Sequence, residues 1–346
     1  MAVQAIEQTK VEPKSGDAAI VFEDVVKEFP GAPRPAVNHV SLSIKRGHLV
    51  VLLGPSGCGK TTLMKMVNRL YEMSSGYIYI EGTPIYGLKL EDLRRRIGYV
   101  IQDVGLFPHM RVERNIAVVP NLLGWDKCKI DARIDELLKL VGLPPEEYRR
   151  RYPRQLSGGQ QQRVGIARAM AADPSTLLMD EPFAAIDSIT RTRLQDELLR
   201  IQRTVRKTIL FVTHDVEEAL RLADEIVIMQ DGAVVQYDTP LNILTRPANQ
   251  FVSQLVGAED VLRRLSLLGV DDVLEPLTSP LAASHALTIS LHDDLRHALG
   301  LILTSGSDVL RVVDDEGNPH GQITLAALRQ LTSADHISPP PLAEAG

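Results

Sequence analysis

Short apolar runs alternate with amphipathic stretches through the first 240 residues of the chain. Three continuous apolar runs, typical of parallel strands buried on both faces, occupy residues 48–53, 176–179 and 208–212. Residues 191–205 carry apolar side chains at helical spacing. Two further apolar runs flank Asp231-Gly232, a dipeptide that favours a hairpin turn. The pattern predicts an α/β domain.

Two other regions have a different pattern. Residues 90–172 are mostly helical in pattern and predict a helical subdomain inserted into the α/β domain. Near the C-terminus, a helix, strand, turn, strand and helix are predicted for residues 295–304, 309–314, 315–318, 321–324 and 325–331. The preceding residues, 271–291, have a vague pattern. We expect a second, small α+β domain.

These patterns predict a first domain over residues 18–245, a linker at 246–257 and a second domain over 258–335. Residues 1–17 and 336–346 are predicted to be disordered tails because they lack a periodic apolar pattern. No window reaches about 18 consecutive apolar residues, the length that spans a bilayer. Any association with a membrane is therefore expected through a partner.

Charge and cysteine content exclude several classes of protein. Residues 258–346 contain 13 Asp and Glu against five Arg and no Lys, so we expect no nucleic-acid partner there. Cys58 and Cys128 lie far apart, without the spacing of a zinc site or a disulfide framework. The N-terminal tail lacks the apolar core of a signal peptide. A reducing compartment is expected.

A glycine-rich segment follows the first apolar run and matches G-x-x-x-x-G-K-[ST]: Gly54, Pro55, Ser56, Gly57, Cys58, Gly59, Lys60 and Thr61, with Thr62 continuing into a helical pattern. Its glycines allow backbone N–H groups to surround phosphate oxygens at the positive end of a helix. Lys60 is expected to reach the β- and γ-phosphates, and the Thr61 hydroxyl to bind Mg²⁺. The alternative is a glycine-rich turn without a ligand.

Two carboxylates, Asp180 and Glu181, follow the second apolar run. Ligands of open α/β sheets bind at the carboxyl ends of the strands, so these acids are expected near the phosphates. Asp180 is the expected Mg²⁺ partner, and Glu181 is the expected general base for the attacking water. Taken alone, such a pair is more often a solvated turn.

A third motif comprises Leu156, Ser157, Gly158, Gly159 and Gln160, followed by a helical pattern. With it the chain resembles the nucleotide-binding subunits of ABC transporters, whose signature sequence it matches. Other landmarks of that family occur in the same order: Phe29, Gln102 within Ile101-Gln102-Asp103, Asp187 within Ala184-Ala185-Ile186-Asp187, and His214. Considered singly, Gln102 could be an exposed loop residue, His214 a strand-end histidine and Phe29 a core aromatic.

The resemblance implies a P-loop NTPase fold that binds ATP and Mg²⁺ in a head-to-tail homodimer. Gln102 would take part in Mg²⁺ binding and catalysis, and His214 would hold the γ-phosphate. Phe29 would stack on adenine. The signature residues (Ser157, Gly158, Gly159 and Gln160) would face the γ-phosphate of the opposite subunit, with Asp187 across the interface.

The resemblance also implies partners. Membrane permease subunits would dock on the region from Gln102 to Met110, which includes Phe107, although packing within the helical subdomain is the alternative for those side chains. An extracytoplasmic solute-binding protein would act indirectly. The subunit is expected to be peripheral, on the cytoplasmic face of the membrane.

Finer likeness in residues 105–109, 115–120 and 246–252 is to the branch that imports osmoprotectants such as glycine betaine, choline and carnitine. Alternatives are an importer of another small polar solute such as an amino acid, a soluble ABC ATPase that remodels a macromolecule, and an inactive scaffold. Beyond Gly257 the chain resembles a single CBS module, a βαββα unit appended to ATPases of that branch. This module could sense a nucleotide or ionic strength, or act as a structural cap.

Overall fold

The computed structural model describes residues 17–102, 105–184, 186–277, 287–314 and 316–333, with side chains as far as Arg329. The predicted tails lie outside these residues, apart from Asp17. The chain divides into two compact units, the first ending at Tyr237 and the second beginning at Asp238. The predicted linker and the predicted start of the second domain at residue 258 both fall within the second unit.

The first unit contains two sheets. Their strands are β1 (Ala18–Lys27), β2 (Val37–Lys45), β3 (Leu49–Leu53), β4 (Ser75–Ile80), β5 (Thr83–Pro84), β6 (Ile97–Val100), β7 (Thr176–Asp180), β8 (Thr208–Val212), β9 (Glu225–Gln230) and β10 (Ala233–Asp238). A four-stranded antiparallel sheet has the order β2-β1-β4-β5, and a six-stranded sheet has the order β10-β9-β3-β8-β7-β6.

The six-stranded sheet confirms the predicted buried parallel strands. β3, β7 and β8 are buried at every position, and β3 is parallel to both β8 and β9. Asp231 and Gly232 both have positive φ, 50° and 85°, and form the predicted turn between β9 and β10. Because parallel strands end at one edge, the loops after β3, β7 and β8 lie side by side.

The helices of the first unit are α1 (Lys60–Val67), α2 (Leu90–Arg95), α3 (Val112–Ile116), α4 (Val118–Leu122), α5 (Lys127–Leu140), α6 (Pro145–Tyr148), α7 (Gly158–Ala169), α8 (Ser188–Val205) and α9 (Val216–Leu222). α8 confirms the predicted helix at 191–205. The region predicted as helical, residues 90–172, also contains β6, which pairs with β7 in the main sheet. That strand has only four residues, too few for a clear period.

The second unit contains helices α10 (Pro240–Thr245), α11 (Gln250–Val256), α12 (Val261–Leu265), α13 (Leu295–Ser305) and α14 (Leu325–Ser333), and strands β11 (Thr288–Ser290), β12 (Val309–Val313) and β13 (Pro319–Thr324). β11 is parallel to β12, and β12 is antiparallel to β13. The last five elements therefore follow the order strand, helix, strand, strand, helix. The segment predicted as a linker forms α11.

An apolar cluster fills the second unit, with Val270, Leu295, Ile302, Leu310 and Ile323 among its buried members. α13 contributes Leu295, Ala298 and Ile302, which share one helical face. Among the described residues of the whole chain, no helix is long and apolar enough to cross a bilayer.

Candidate functional site

The glycine-rich loop lies between β3 and α1 and is held in shape by neighbouring backbone. Gly54 and Gly59 have φ of 154° and 105°. A Cβ atom at Gly59 would lie 2.2 Å from the Ala36 carbonyl oxygen, and one at Gly54 would lie 2.3 Å from that of Met229. Any larger residue would therefore displace the main chain. The loop leads into the N-terminus of α1, where helix geometry favours an anion.

Lys60 is the first residue of α1 and is buried. Its Nζ donates hydrogen bonds to the carbonyl oxygens of Gly54, at 2.6 Å, and Pro55, at 2.9 Å. The Sγ atom of Cys58 lies 3.7 Å from the same ammonium group. The loop thus holds a buried positive charge against two of its own carbonyl oxygens, and that charge suits a phosphate-binding site.

Asp180, at the end of β7, connects the strand to this loop. The Thr61 hydroxyl donates to Asp180 Oδ1 at 3.1 Å, and Lys65 Nζ lies 4.0 Å from Oδ2. Burial raises the pKa of Asp180 above its ordinary value, and the charge of Glu181 acts in the same direction, while Thr61 and Lys65 oppose the shift. Both residues predicted to hold Mg²⁺ on this side of the site, Thr61 and Asp180, are therefore in contact.

Tyr99, on β6, is a neighbour of Asp180 that the sequence analysis missed. Its hydroxyl donates to Asp180, and burial together with that carboxylate raises the pKa of Tyr99. The signal that could have found it is its place on a short strand two residues before the predicted Q-loop. Lys65 was missed as well, because a lysine on an amphipathic helix is usually a solvated residue.

Glu181 and His214 meet at the ends of adjacent strands. Glu181 has a φ of 44°, and its N–H donates to the Val212 carbonyl at 3.0 Å. His214 Nδ1 lies 3.2 Å from Glu181 Oε2, and the histidine side chain is 57% exposed. A carboxylate and an imidazole in contact at an open strand edge are able to orient a water molecule and a phosphate oxygen.

The Ser157 motif caps α7. Ser157 Oγ accepts from the N–H of Gln160 at 3.3 Å, and the Gln160 side chain accepts from the N–H of Ser157 at 2.9 Å, which makes a capping box. A Cβ atom at Gly159 would lie 2.8 Å from the methyl group of Thr190. Glycine at this position therefore permits the close approach of α7 to α8.

The remaining predicted residues take the following places. Asp187 caps α8 by accepting from the N–H of Thr190 at 3.0 Å, a contact that lowers the pKa of Asp187. Gln102 is exposed after β6, the strand beside the one that ends at Asp180. Asp103, Val104 and Ala185 lie outside the described residues.

Phe29 follows β1 and is 36% exposed. Its ring meets that of Tyr71 edge to face, with 5.5 Å between centroids, and Lys27 Nζ lies 4.8 Å above it. Tyr71 and Lys27 therefore hold the ring of Phe29 in place while leaving the residue partly exposed.

Phe107 and Met110 lie in a loop fixed by the buried Asn115. The Asn115 side chain accepts from the N–H of Phe107 at 2.8 Å and donates to the carbonyl oxygen of Met110 at 3.1 Å. Arg168 donates to the carbonyl oxygen of Gly105 at 2.6 Å. The loop presents Phe107, which is exposed, on a rigid backbone.

The Ser157 motif is predicted to face the γ-phosphate bound by the opposite subunit, not the glycine-rich loop of its own chain. Among the described residues, no hydrogen bond or ion pair joins the Ser157 motif to the glycine-rich loop. Three other predicted groups converge on one edge of the six-stranded sheet: the glycine-rich loop after β3, the two acids after β7 and the histidine after β8.

Comparison with known proteins gives consistent matches. The family model for ABC transporters matches residues 37–184. The chain is 50% identical over 305 residues to the glycine betaine uptake system ATP-binding protein YehX of Escherichia coli (strain K12), covering 88% of this chain and 97% of that protein. It is 46% identical over 313 residues to the choline transport ATP-binding protein OpuBA of Bacillus subtilis (strain 168), covering 90% and 80%.

A solved structure of a dimeric ATP-binding cassette, in a post-hydrolysis state bound to ADP and Pi, has a TM-score of 0.56 and 32% sequence identity. The match covers 64% of this chain and 98% of that one. The ABC nucleotide-binding fold predicted from the Gly54 and Ser157 motifs is thereby confirmed. On the strength of these relatives and of the strand-edge site, the chain belongs to the ATP-binding proteins of ABC transporters.

Proposed function

We propose that this chain binds Mg-ATP at the edge of the six-stranded sheet and hydrolyses it to power the import of an osmoprotectant. The Thr61 to Asp180 hydrogen bond carries this proposal, because it joins the phosphate loop to the acidic strand end in one site. Relatives described as glycine betaine and choline transport proteins support the solute class. Hydrolysis is the activity by which ABC uptake subunits drive transport.

The residues fit the nucleotide. The positive-φ glycines and the buried Lys60 form an anion site, and Phe29 offers a supported ring for adenine. In the described part of the chain, no group of three or more His, Cys, Asp or Glu side chains could hold a metal ion alone. Mg²⁺ is usually bound by one or two carboxylates with phosphates and waters, so Thr61, Asp180 and Gln102 are a sufficient protein contribution. The bound ion supplies charge that neutralises the transferring phosphoryl group.

We assign the proton-handling and orienting roles to two side chains. Glu181 Oε2 would accept a proton from the attacking water, and His214, 3.2 Å away, would keep that carboxylate oriented and donate to a γ-phosphate oxygen. Lys60 would neutralise negative charge on the same oxygens. The positive φ of Glu181 turns its side chain away from the strand path, which suits a functional position.

We also propose that the active form is a head-to-tail homodimer, with Ser157, Gly158, Gly159, Gln160 and Asp187 completing the partner's site. The dimeric state of the solved relative supports this arrangement. Permease subunits would dock on the rigid loop that presents Phe107, which would hold the chain at the cytoplasmic face of the membrane. A solute-binding protein would act indirectly.

For the second unit we propose a single CBS-like module. Its strand, helix, strand, strand, helix order is that of the module named from the sequence. Pairing of two copies across the dimer would give it a partner. Direct binding measurements with adenine nucleotides would distinguish the two roles: a nucleotide-sensing module should bind them, and a purely structural module should not.

The test is uptake of radiolabelled glycine betaine and choline by cells at high salt, with the wild-type chain or Lys60→Ala. We expect Lys60→Ala to reduce uptake to the level of cells lacking the gene. Lys127→Ala, at an exposed lysine on α5, is the matched control and should transport normally. If wild-type cells take up an amino acid but neither amine, the proposed solute class is wrong and an amino acid takes its place. Normal uptake with Lys60→Ala would refute the proposal.

A further inference from the structure

Arg191 lies in the first turn of α8 and connects two loops of the site. Its Nη2 donates to the carbonyl oxygen of Ile186 at 3.0 Å, and its Nη1 lies 3.4 Å from Asp215 Oδ2. Ile186 precedes Asp187, the cap of α8, and Asp215 follows His214 and caps α9. One guanidinium group therefore bridges the loop before α8 and the loop before α9 by hydrogen bonds.

The position of His214 depends on this connection. Asp215 Oδ1 accepts from the N–H of Glu218 at 3.2 Å, and the N–H of Asp215 donates to the Thr213 hydroxyl at 3.0 Å. Both carboxylate oxygens of Asp215 are thus engaged, one by the helix and one by Arg191. Because His214 lies between Thr213 and Asp215, a fixed Asp215 restricts the backbone that carries the imidazole.

A second polar contact joins the same two helices one turn further on. Gln195 Nε2 donates to Glu218 Oε1 at 3.1 Å, and both side chains are buried. Burial raises the pKa of Glu218. A pocket is lined by Glu181 and His214 together with Arg191, Asp215 and Glu218. The contacts between α8 and α9 are therefore part of the wall of the site.

The chemistry of the contact favours a geometric role over a stabilising one. Arg191 and Asp215 are both about one-third exposed, and an ion pair of that kind is screened by solvent and contributes little to stability. The guanidinium, however, offers donors in a rigid fork, which can hold a carbonyl and a carboxylate at fixed separation. A lysine ammonium also has several donors but lacks this planar fork, so it would hold the two acceptors at a less fixed separation.

We propose that Arg191 is a positioning residue for ATP hydrolysis, which holds His214 beside Glu181 by joining the Ile186 carbonyl to the Asp215 carboxylate. This inference rests on the proposed roles of Glu181 and His214. It also makes the loop that carries Asp187 and the loop that carries His214 move as one body. A displacement of Asp187 would then change the Glu181 to His214 distance.

The first experiment measures steady-state ATP hydrolysis by the purified full chain. Arg191→Met should lower kcat about 10- to 100-fold, in keeping with the cost of misplacing a reacting group by about 1 Å. The KM for ATP and the melting temperature should be unchanged, since Lys60 and the core are untouched. Arg191→Lys should recover part of the loss. Arg193→Met, at an exposed arginine of the same helix, is the control.

The second experiment is a double-mutant cycle in kcat with Asp215→Asn, which can still cap α9. Both changes break the same bridge, so the double variant should be no slower than the slower single variant. The proposal would be overturned if the losses in kcat of the two single variants add in the double variant. It would also be overturned if Arg191→Met left kcat unchanged, or if its loss of kcat came with a matching fall in melting temperature. Glu181→Gln tests the proposed roles of Glu181 and His214 separately from that of Arg191. If this variant hydrolyses ATP normally, those roles are wrong whatever Arg191 does.

Discussion

The first unit buries charged and polar side chains beside its strand ends, whereas the described part of the second unit buries only one polar side chain, Gln322. In the first unit Lys60, Asp180 and Glu218 are all buried, each with hydrogen-bond partners. Burial of an ionisable group is costly unless it is paired, so such groups tend to mark chemistry. We therefore expect the substitutions with the largest effect on turnover to lie at strand-end groups of the first unit, and substitutions in the core of the second unit to act on stability.

The largest expected effect is in the first unit. Glu181→Gln keeps the size of the side chain but removes the proton acceptor, so kcat should fall about 10²- to 10⁴-fold, the usual contribution of a general base. ATP should still bind, and the dimer should accumulate in its ATP-bound form on size-exclusion chromatography. Normal turnover would contradict the assignment and remove the contrast between the units.

A substitution in the second unit should act on folding alone. Leu310 is fully buried on β12, and Leu310→Ala should destabilise that unit by about 2–5 kcal/mol, the range for a buried leucine. The measurement is differential scanning calorimetry, with ATP hydrolysis as the second readout, which should stay within about twofold. Leu303→Ala, at a 69% exposed leucine of α13, should change neither quantity. Loss of hydrolysis with Leu310→Ala would show that the units are coupled.

The smallest expected effect is a pH dependence in the first unit. Burial raises the pKa of Glu218, so the folded state binds its proton more tightly than the unfolded state does. The free energy of unfolding should therefore decrease as pH rises from the unfolded pKa, near 4.5, through the raised folded pKa. In urea titrations at a series of pH values, Glu218→Gln should show a smaller decrease, and the raised pKa of Asp180 should account for part of what is left. Glu217→Gln, an exposed neighbour on α9, should retain it.

The sequence predicts those parts of the fold and the site that depend on local patterns. Buried strands such as β3, the turn at Asp231 and the strand-end acids each have a signature within a few residues. The antiparallel sheet of β1, β2 and β4 was not predicted, since its register shifts interrupt the two-residue period.

Contacts between residues that are distant in the sequence were not predicted either. Arg191 and Asp215 are 24 positions apart, and Tyr99 meets Asp180 only because β6 pairs with β7. Nothing in the pattern around Arg191 distinguishes it from an ordinary helix residue, and the signal for Tyr99 is only its place two residues before the predicted Q-loop. The order of the strands in the sheet decides these neighbours, and that order is a property of the whole fold.

The backbone that presses against Gly54 and Gly59 has a consequence for affinity. Because Met229 and Ala36 fix the loop from outside, its curvature does not have to be created by the phosphates, and little conformational entropy is lost when they arrive. Differences in nucleotide affinity among related chains should then originate outside this loop, in contacts to the base or in closure of the dimer. The loop itself is preorganised for phosphate binding.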